Sequence, residues 1–262
     1  IDEVCMNRPC PALSLTFKEC IQNAKDYAWG GAKYNTGNGI ILIGVADLIN
    51  SVAAVKHVVY DTRQATMKEL VQALDDDFEG HEELLKRCRK APKYGNDDPQ
   101  VDRLVGDLFT FFADEIERYE SKFGTMTPGI LPVSGNTPFG LEVGALPSGR
   151  KAWRPLADGV SPSGGTDRLG PGAVLKSVSQ ICHDRFVQGT LLNLKVEPEM
   201  LRDENGIQQL MALLKSMCSL GVYHVQFNVI DQEKLIAAQQ NPDDHRGLLV
   251  RVAGYTAYFT EL

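Results

Sequence analysis

The chain has 262 residues, of which 43% are hydrophobic and 23% charged, a composition that excludes an intrinsically disordered protein. Lysine and arginine total 27 against 34 aspartates and glutamates, which gives a net charge of -7. The composition therefore lacks the excess of positive charge that is typical of proteins that bind a nucleic-acid backbone. Apolar runs such as residues 40–43 are far shorter than the roughly 20 residues of a membrane helix. We therefore expect a cytoplasmic protein that binds neither nucleic acid nor a membrane.

The cysteine pattern favours reduced thiols over a disulfide or metal framework. None of the six cysteines forms a Cys-x-x-Cys pair, and Cys5 and Cys10 have no histidine nearby to complete a zinc site. The sequence therefore predicts no metal site.

The two ends of the sequence suggest part of a longer protein. The first residue is Ile1 rather than methionine, and the last residues, including Tyr258 and Phe259, are typical of the middle of a domain. We expect the second half of the chain to be truncated at its C-terminus.

The first half predicts mostly helices. Apolar spacing indicates a buried helix over residues 10–28 that ends at Gly30, and a second helix over residues 47–59. Thr66 followed by Glu69 forms a capping-box pattern that opens a third helix. Two more helices are expected over residues 81–90 and 98–122. We expect the last to bury an apolar stripe of Leu104, Leu108, Phe111, Phe112, Ile116 and Tyr119.

Residues 124–171 form a connector in which recurrent prolines and glycines exclude any long helix. Such long irregular segments are uncommon in compact domains unless they line a site or wrap a neighbour. Leu131 and Val133 alternate along this segment, so in an extended conformation they would point to the same side. We expect these two side chains to border a substrate cavity, although plain core packing is an alternative.

The last third alternates helix and strand, which indicates an α/β fold. Residues 207–218 form a helical apolar face, and residues 223–229 alternate as a strand. Asp231 is placed to cap a further helix up to about residue 240, and residues 248–252 predict a buried strand.

Conventional catalytic motifs are missing from the sequence. It contains no dinucleotide fingerprint, phosphate loop, zinc-protease helix or nucleophile elbow, and its five histidines are scattered. The segment Arg251-Val252-Ala253-Gly254-Tyr255 is different. By itself it is compatible with a strand, a glycine turn and a return strand.

In its context, that segment resembles the radical-bearing loop of the glycyl radical enzymes. The resemblance continues upstream, in one co-linear order, over motifs at residues 30–35, 144–152, 155–162, 189–193 and 226–228. It implies that Gly254 stores an unpaired electron, within a radical loop that also includes Arg251, Val252, Ala253 and Tyr255. Glycine suits this role, because a Cβ would crowd a planar backbone radical.

The resemblance also implies a fold and partners. The fold would be the C-terminal portion of a ten-stranded α/β barrel with surrounding helices, divided into a pyruvate formate-lyase-like part (residues 1–123) and a glycine radical part (residues 124–262). A separate radical S-adenosylmethionine activase would install the radical, and the chain itself would hold no organic cofactor. A homodimer and a small-molecule substrate are expected.

In this family the radical passes to a cysteine in a Gly-Cys loop, and no Gly-Cys-x-Glu motif occurs in these 262 residues. The chain alone is therefore expected to be inactive. Residues 165–171 resemble the eliminating branch, which expels water, an amine or a similar group from a small organic substrate. Alternatives are a radical spare part that repairs a damaged enzyme, a pyruvate formate-lyase-type acetyltransferase, and a structural α/β module in which Gly254 is inert.

Overall fold

The computed structural model describes residues 3, 7–34, 39–122, 124–251 and 256–261, with the side chain of Met200 left out. Within these residues, helices in the first half give way to an irregular connector and then to alternating helices and strands. The α-helices are α1 Pro11–Ser14, α2 Lys18–Gln22, α3 Val45–Val55, α4 Met67–Asp75, α5 Glu82–Lys90, α6 Pro99–Ile116, α7 Asn136–Gly140, α8 Pro171–Val178, α9 Glu204–Ser219 and α10 Gln232–Gln240.

The strands are short. They are β1 Gly39–Ile41, β2 Glu120–Ser121, β3 Gly124–Thr125, β4 Thr127–Gly129, β5 Leu192–Val196, β6 Val225–Val229, β7 Leu249–Arg251 and β8 Thr256–Tyr258. None of the described helices combines the length and the apolarity that a bilayer crossing requires.

The segment before Gly30 differs from the single buried helix that its spacing predicts. It forms α1, α2 and a 3-10 turn, and its apolar side chains Leu13 and Ile21 are exposed while Cys20 is buried. Asp26 begins the 3-10 turn and ties it to the start of α1, because its carboxylate accepts hydrogen bonds from the backbone N–H groups of Ala28 and Cys10. Gly30 does end the segment, in a left-handed conformation (φ 81°).

Helix α3 and helix α6 pack against each other in the centre of the main core. Helix α3 contributes Ala46, Ile49 and Ala53 to that core. On α6, the stripe predicted from spacing is confirmed for Ile116, which is buried, and for Leu104, Leu108 and Phe112, which are partly buried against the core. It is wrong for Phe111, which is 54% exposed, and for Tyr119, which lies beyond the end of the helix. The buried face of α6 consists of Val101, Val105, Phe109, Ala113 and Ile116.

Helices α4 and α5 build a smaller satellite core that includes Leu70, Phe78 and Cys88. The capping box predicted for α4 is confirmed. The Glu69 N–H donates to the Thr66 hydroxyl at 3.2 Å, and the Thr66 N–H donates to the Glu69 carboxylate at 2.7 Å.

Two parallel strand pairs carry the α/β part of the molecule. Strand β1 pairs with β4 and strand β5 pairs with β6, each in parallel. The pairs meet at a parallel bridge between Ile130 and Thr190, so β4 and β5 are neighbours. Parallel strands need crossover connections, which α3 to α6 supply between β1 and β4 and α9 supplies between β5 and β6.

The connector over residues 124–171 contains no long helix, as predicted, and α7 is the only described helix that lies wholly within it. Buried polar groups fix it to the core. The buried carboxyl of Asp47 accepts hydrogen bonds from the Ala157 N–H and the Ser163 hydroxyl, both at 2.7 Å. The Arg150 guanidinium donates to backbone carbonyls of the connector itself, including those of Gly140 and Gly144.

In the last third, the predicted N-cap is confirmed, since the Asp231 carboxylate accepts from the N–H groups of Glu233 and Lys234 at the start of α10. The helix predicted over residues 207–218 is confirmed within α9, on which Ile207 and Met211 are 47% and 42% exposed. The prediction of a buried strand over residues 248–252 is wrong in its burial, because Leu249 on β7 is 54% exposed.

Candidate functional site

The glycine-containing segment singled out in the sequence lies between the two strands of a hairpin. Strands β7 and β8 pair in antiparallel register, with Arg251 opposite Thr256. The connecting residues Val252, Ala253, Gly254 and Tyr255 lie outside the described residues. Arg251 itself is exposed, and its guanidinium donates a long hydrogen bond (3.4 Å) to the Thr256 hydroxyl.

A cavity of about 390 Å³ separates this hairpin from the β5–β6 pair. On β5, Leu192, Leu194 and Val196 are buried in the core. The intervening residues Asn193 and Lys195 consequently face the cavity, because alternate residues of a strand point to opposite sides. Its other walls include Phe227 and Asn228 from β6, Leu235 from α10, and Leu249, Val250 and Arg251 from β7.

A polar network joins three segments at the edge of this cavity. Asn193 is its centre, because its side-chain amide donates to the Asp158 carboxylate at 2.5 Å and its side-chain carbonyl accepts from the Gln226 amide at 2.9 Å. The backbone N–H of Asn193 donates to the Ser161 hydroxyl at 2.9 Å. The network therefore ties the connector to both strands of the β5–β6 pair.

Two buried acceptor oxygens at this cavity lack a partner among the described residues. They are Oδ1 of Asp158 and Oδ1 of Asn228. Burial raises the pKa of the Asp158 carboxyl, and the hydrogen bond from Asn193 offsets this only in part. Buried acceptors without a partner are costly, so the site favours a group that donates hydrogen bonds to it.

Sequence reasoning missed this network. Asp158, Asn193 and Gln226 belong to motifs noted for the family resemblance, but no role was assigned to any of them. The available signal was a polar residue at alternate positions of otherwise apolar strands, as in Leu192-Asn193-Leu194.

Leu131 and Val133 lie directly after the bridge at Ile130. Leu131 is half-buried, and its side chain lies near Gly189, whose ideal Cβ position is 3.7 Å from Leu131 Cδ2 and 3.2 Å from the His224 ring. Val133 is 43% exposed and adopts φ 57° at the start of a turn. The extended conformation assumed for this pair therefore ends before Val133, and the spacing argument for a shared face does not hold.

Neither residue lines the cavity beside the hairpin. A positive φ is rare for a β-branched residue and is found mostly at constrained, functional positions. The role of Leu131 and Val133 at a substrate cavity stays a prediction. Across the described part of the chain, no group of three or more histidine, cysteine, aspartate or glutamate side chains could hold a metal ion.

Two family profiles match the chain. The profile described as "Pyruvate formate lyase-like" matches residues 4–140, and the profile described as "Glycine radical" matches residues 156–260. Among curated proteins, the chain is 37% identical over 265 residues to trans-4-hydroxy-L-proline dehydratase from Clostridioides difficile. The matched region covers 100% of this chain and 33% of that enzyme.

Solved structures agree with this result. The B12-independent glycerol dehydratase from Clostridium butyricum matches with a TM-score of 0.89 and 43% identity, over 97% of this chain and 32% of that one. A glycyl radical enzyme from Archaeoglobus fulgidus matches with a TM-score of 0.87 and 39% identity, again over 97% and 32%. The α/β fold expected from the sequence, as a portion of this enzyme barrel, is confirmed.

The chain spans about a third of the length of the curated relatives it matches. The family resemblance of the motifs over residues 30–35, 144–152, 155–162, 189–193 and 226–228 is confirmed, since both profiles and both structures agree with it. On these matches, the chain belongs to the pyruvate formate lyase-like family of glycyl radical enzymes.

Proposed function

We propose that this chain is the radical-storing portion of a glycyl radical dehydratase or related lyase, with the unpaired electron held at Gly254. The β7–β8 hairpin is the observation that carries the proposal. Its paired strands flank residues 252–255 of the segment that resembles a radical loop, and it borders a cavity whose walls include Asp158 and Asn193 of the polar network.

The chemistry of storage requires a backbone radical that is both stabilised and protected. Loss of one hydrogen atom from the glycine Cα leaves a planar centre delocalised over the adjacent amides, which a Cβ would crowd. In our proposal, a separate radical S-adenosylmethionine activase removes that atom. The hydrogen bonds of Asn193 to Asp158 and Gln226 hold the strands against which the hairpin lies.

The radical would act on substrate through a cysteine. None of the six cysteines in this chain follows a glycine, so we place the thiyl residue, and the acid two residues beyond it, in sequence outside these 262 residues. The reaction we propose is elimination of water or a similar group from a small organic molecule, the kind of reaction that the dehydratase relatives are named for.

Further parts of the proposal concern assembly and the substrate wall. We place the enzyme in the cytoplasm as a homodimer, with a division between its two domains near residues 123–124. Leu131 and Val133 are proposed to border the substrate, and two aliphatic side chains there would favour a substrate with an apolar portion.

Cleavage by oxygen tests the storage site. A carbon-centred radical combines with dioxygen, so air should cut the activated protein at Gly254 and release a C-terminal piece that begins after Ala253. Mass spectrometry of the activated protein before and after exposure to air would detect that piece. Gly254→Ala should give none, whereas Gly247→Ala, a glycine with open space at its Cβ position, should be cut like the parent protein.

Cleavage elsewhere, or equal cleavage of the Gly254→Ala variant, would show that the radical is not stored at this residue. Cleavage at Gly254 in a protein whose gene encodes no Gly-Cys-x-Glu motif would instead favour the spare-part alternative.

A further inference from the structure

A second cavity, of about 530 Å³, lies where the connector crosses α3 and α5. It shares no lining residue with the cavity beside the hairpin. Its walls carry six cationic side chains, although the chain as a whole has a net charge of -7. These cations are Arg89, Lys93, Arg150, Lys151, Arg154 and Arg168.

Two of the six cations are engaged by the protein itself, Arg150 by backbone carbonyls and Lys151 by a carboxylate. The Arg150 guanidinium donates to five backbone carbonyls of the connector, those of residues 140, 143, 144, 154 and 155. Lys151 is paired with Asp77 through both its backbone carbonyl and its carboxylate. These two side chains shape the wall of the cavity.

The other four cations keep donors available. Among the described residues, no carboxylate pairs with Arg89, Arg154 or Arg168. Arg89 is oriented by a single hydrogen bond from its Nε to the Gly149 carbonyl at 3.2 Å, which leaves its two terminal nitrogens unused. Half-buried Lys93 donates to the carbonyls of Cys88 and Ala91, and its third proton stays available.

The cavity provides little negative charge to balance these groups. Asp47 is the only carboxylate on its wall, and both of its oxygens already accept hydrogen bonds from Ala157 and Ser163. Burial also raises the pKa of Asp47, opposed by these hydrogen bonds and by the charge of Arg150. Conversely, burial, with a smaller contribution from the charge of Arg168, lowers the pKa of Lys93 to about 8.

Backbone donors complete the wall. Gly164 and Gly165 line the cavity, and no described residue accepts a hydrogen bond from either N–H. Open space surrounds the Cβ position of both glycines, so a ligand could approach the main chain closely. Amide groups next to unpaired guanidinium groups are the donors that recognise phosphate oxygens.

We propose that this cavity binds a small oxyanion of at least two negative charges, of the phosphate or phosphate-ester class. Three forked guanidinium groups suit a tetrahedral oxyanion better than one carboxylate, because each can donate two parallel hydrogen bonds. The volume fits a small molecule. This proposal is independent of the radical at Gly254, since it uses none of the hairpin residues.

The test uses inorganic pyrophosphate as the probe and the protein expressed from its whole open reading frame. Isothermal titration calorimetry at two chloride concentrations should show binding that weakens as salt increases. The double variant Arg154→Ala with Arg168→Ala should bind at least about tenfold more weakly. Both side chains are exposed, so the fold should tolerate their loss. The matched control is Lys215→Ala, an exposed cation on α9 outside the cavity.

A second readout needs no variant. Acylation of lysines at pH 8, close to the lowered pKa of Lys93, followed by peptide mass spectrometry, measures how accessible this amine is. Pyrophosphate should slow labelling of Lys93 and leave Lys215 unchanged. Absence of binding, equal affinity of the double variant and the Lys215→Ala control, or unaltered Lys93 labelling would each overturn the proposal. Absence of binding would also be the result if an acidic segment of a longer chain filled the cavity.

Discussion

His183 shows how burial sets the protonation of a single residue. Its Nε2 lies 3.0 Å from the Val178 carbonyl, which can only accept, and its Nδ1 lies 2.7 Å from the Thr190 hydroxyl. The Val178 carbonyl therefore requires a proton on Nε2, and burial, which lowers the pKa of His183, favours the neutral ring in which Nδ1 accepts from the Thr190 hydroxyl. Both ring nitrogens are thus used in hydrogen bonds within the protein.

This arrangement predicts a dependence of stability on pH. Burial lowers the pKa of His183 below its ordinary value of 6.5. Below pH 6.5 the unfolded chain binds a proton at this histidine more readily than the folded chain does. The contribution of His183 to the free energy of unfolding is therefore present above pH 6.5 and is lost as the pH falls. Urea denaturation at several pH values should show a steeper loss for the parent protein than for His183→Gln. An imidazole NMR signal of His183 that titrates at or above 6.5 would contradict this.

The second prediction for a single residue concerns Leu131 and rests on its proposed position at the border of the substrate cavity. Leu131→Ala should change the preference among candidate substrates while the radical signal is kept, since the side chain is only half-buried. If Leu131 is instead a core residue, its loss should lower the free energy of unfolding by about 2–5 kcal/mol with unchanged preference. Leu192→Ala, at a fully buried position, is the control for the core outcome.

At the scale of elements, local polar signals predicted helix starts better than apolar spacing predicted buried faces. Thr66 and Asp231 cap the helices they were expected to cap, because a cap depends only on neighbouring backbone groups. Helix α6, in contrast, has apolar residues on more than one face. Spacing could not decide whether Phe111 or Phe109 faces the core, because that choice depends on packing against distant elements such as α3.

Gly159 links the connector to β5 and provides a test at this scale. It adopts φ 55°, and a Cβ there would lie 2.1 Å from the Leu191 carbonyl oxygen, which accepts a hydrogen bond from the Val160 N–H. Gly159→Ala should therefore lower the free energy of unfolding by about 2–4 kcal/mol, through both backbone strain and the lost hydrogen bond.

The matched control is Gly80→Ala, where φ is 76° but no atom lies within 4 Å of the Cβ position. That variant has only the strain of the left-handed backbone, so its free energy of unfolding should fall by about 1 kcal/mol. Urea denaturation of both variants measures the difference. Equal losses would show that the Leu191 contact does not constrain this position.

At the scale of the whole molecule, the sequence predicted the family and the α/β class but not the assembly of the site. The family could be predicted because its motifs recur in one order along the chain. The network could not, because Gln226 reaches Asn193 only through the β5–β6 pairing, and Asp158 only through the connector's hydrogen bonds to the β5 segment. The cationic cavity could not be predicted for the same reason, since Arg89 and Arg168 are far apart in the sequence and come together on one wall only in the folded chain.

Electron paramagnetic resonance of the anaerobically activated protein is the most direct test of radical storage at Gly254. A glycyl radical has one remaining hydrogen on its Cα, so the spectrum should be a doublet that collapses towards a single line when the protein is labelled with α-deuterated glycine. Gly254→Ala should abolish the doublet, whereas Gly247→Ala should retain it. A doublet that persists in the Gly254→Ala variant would contradict storage of the radical at this residue.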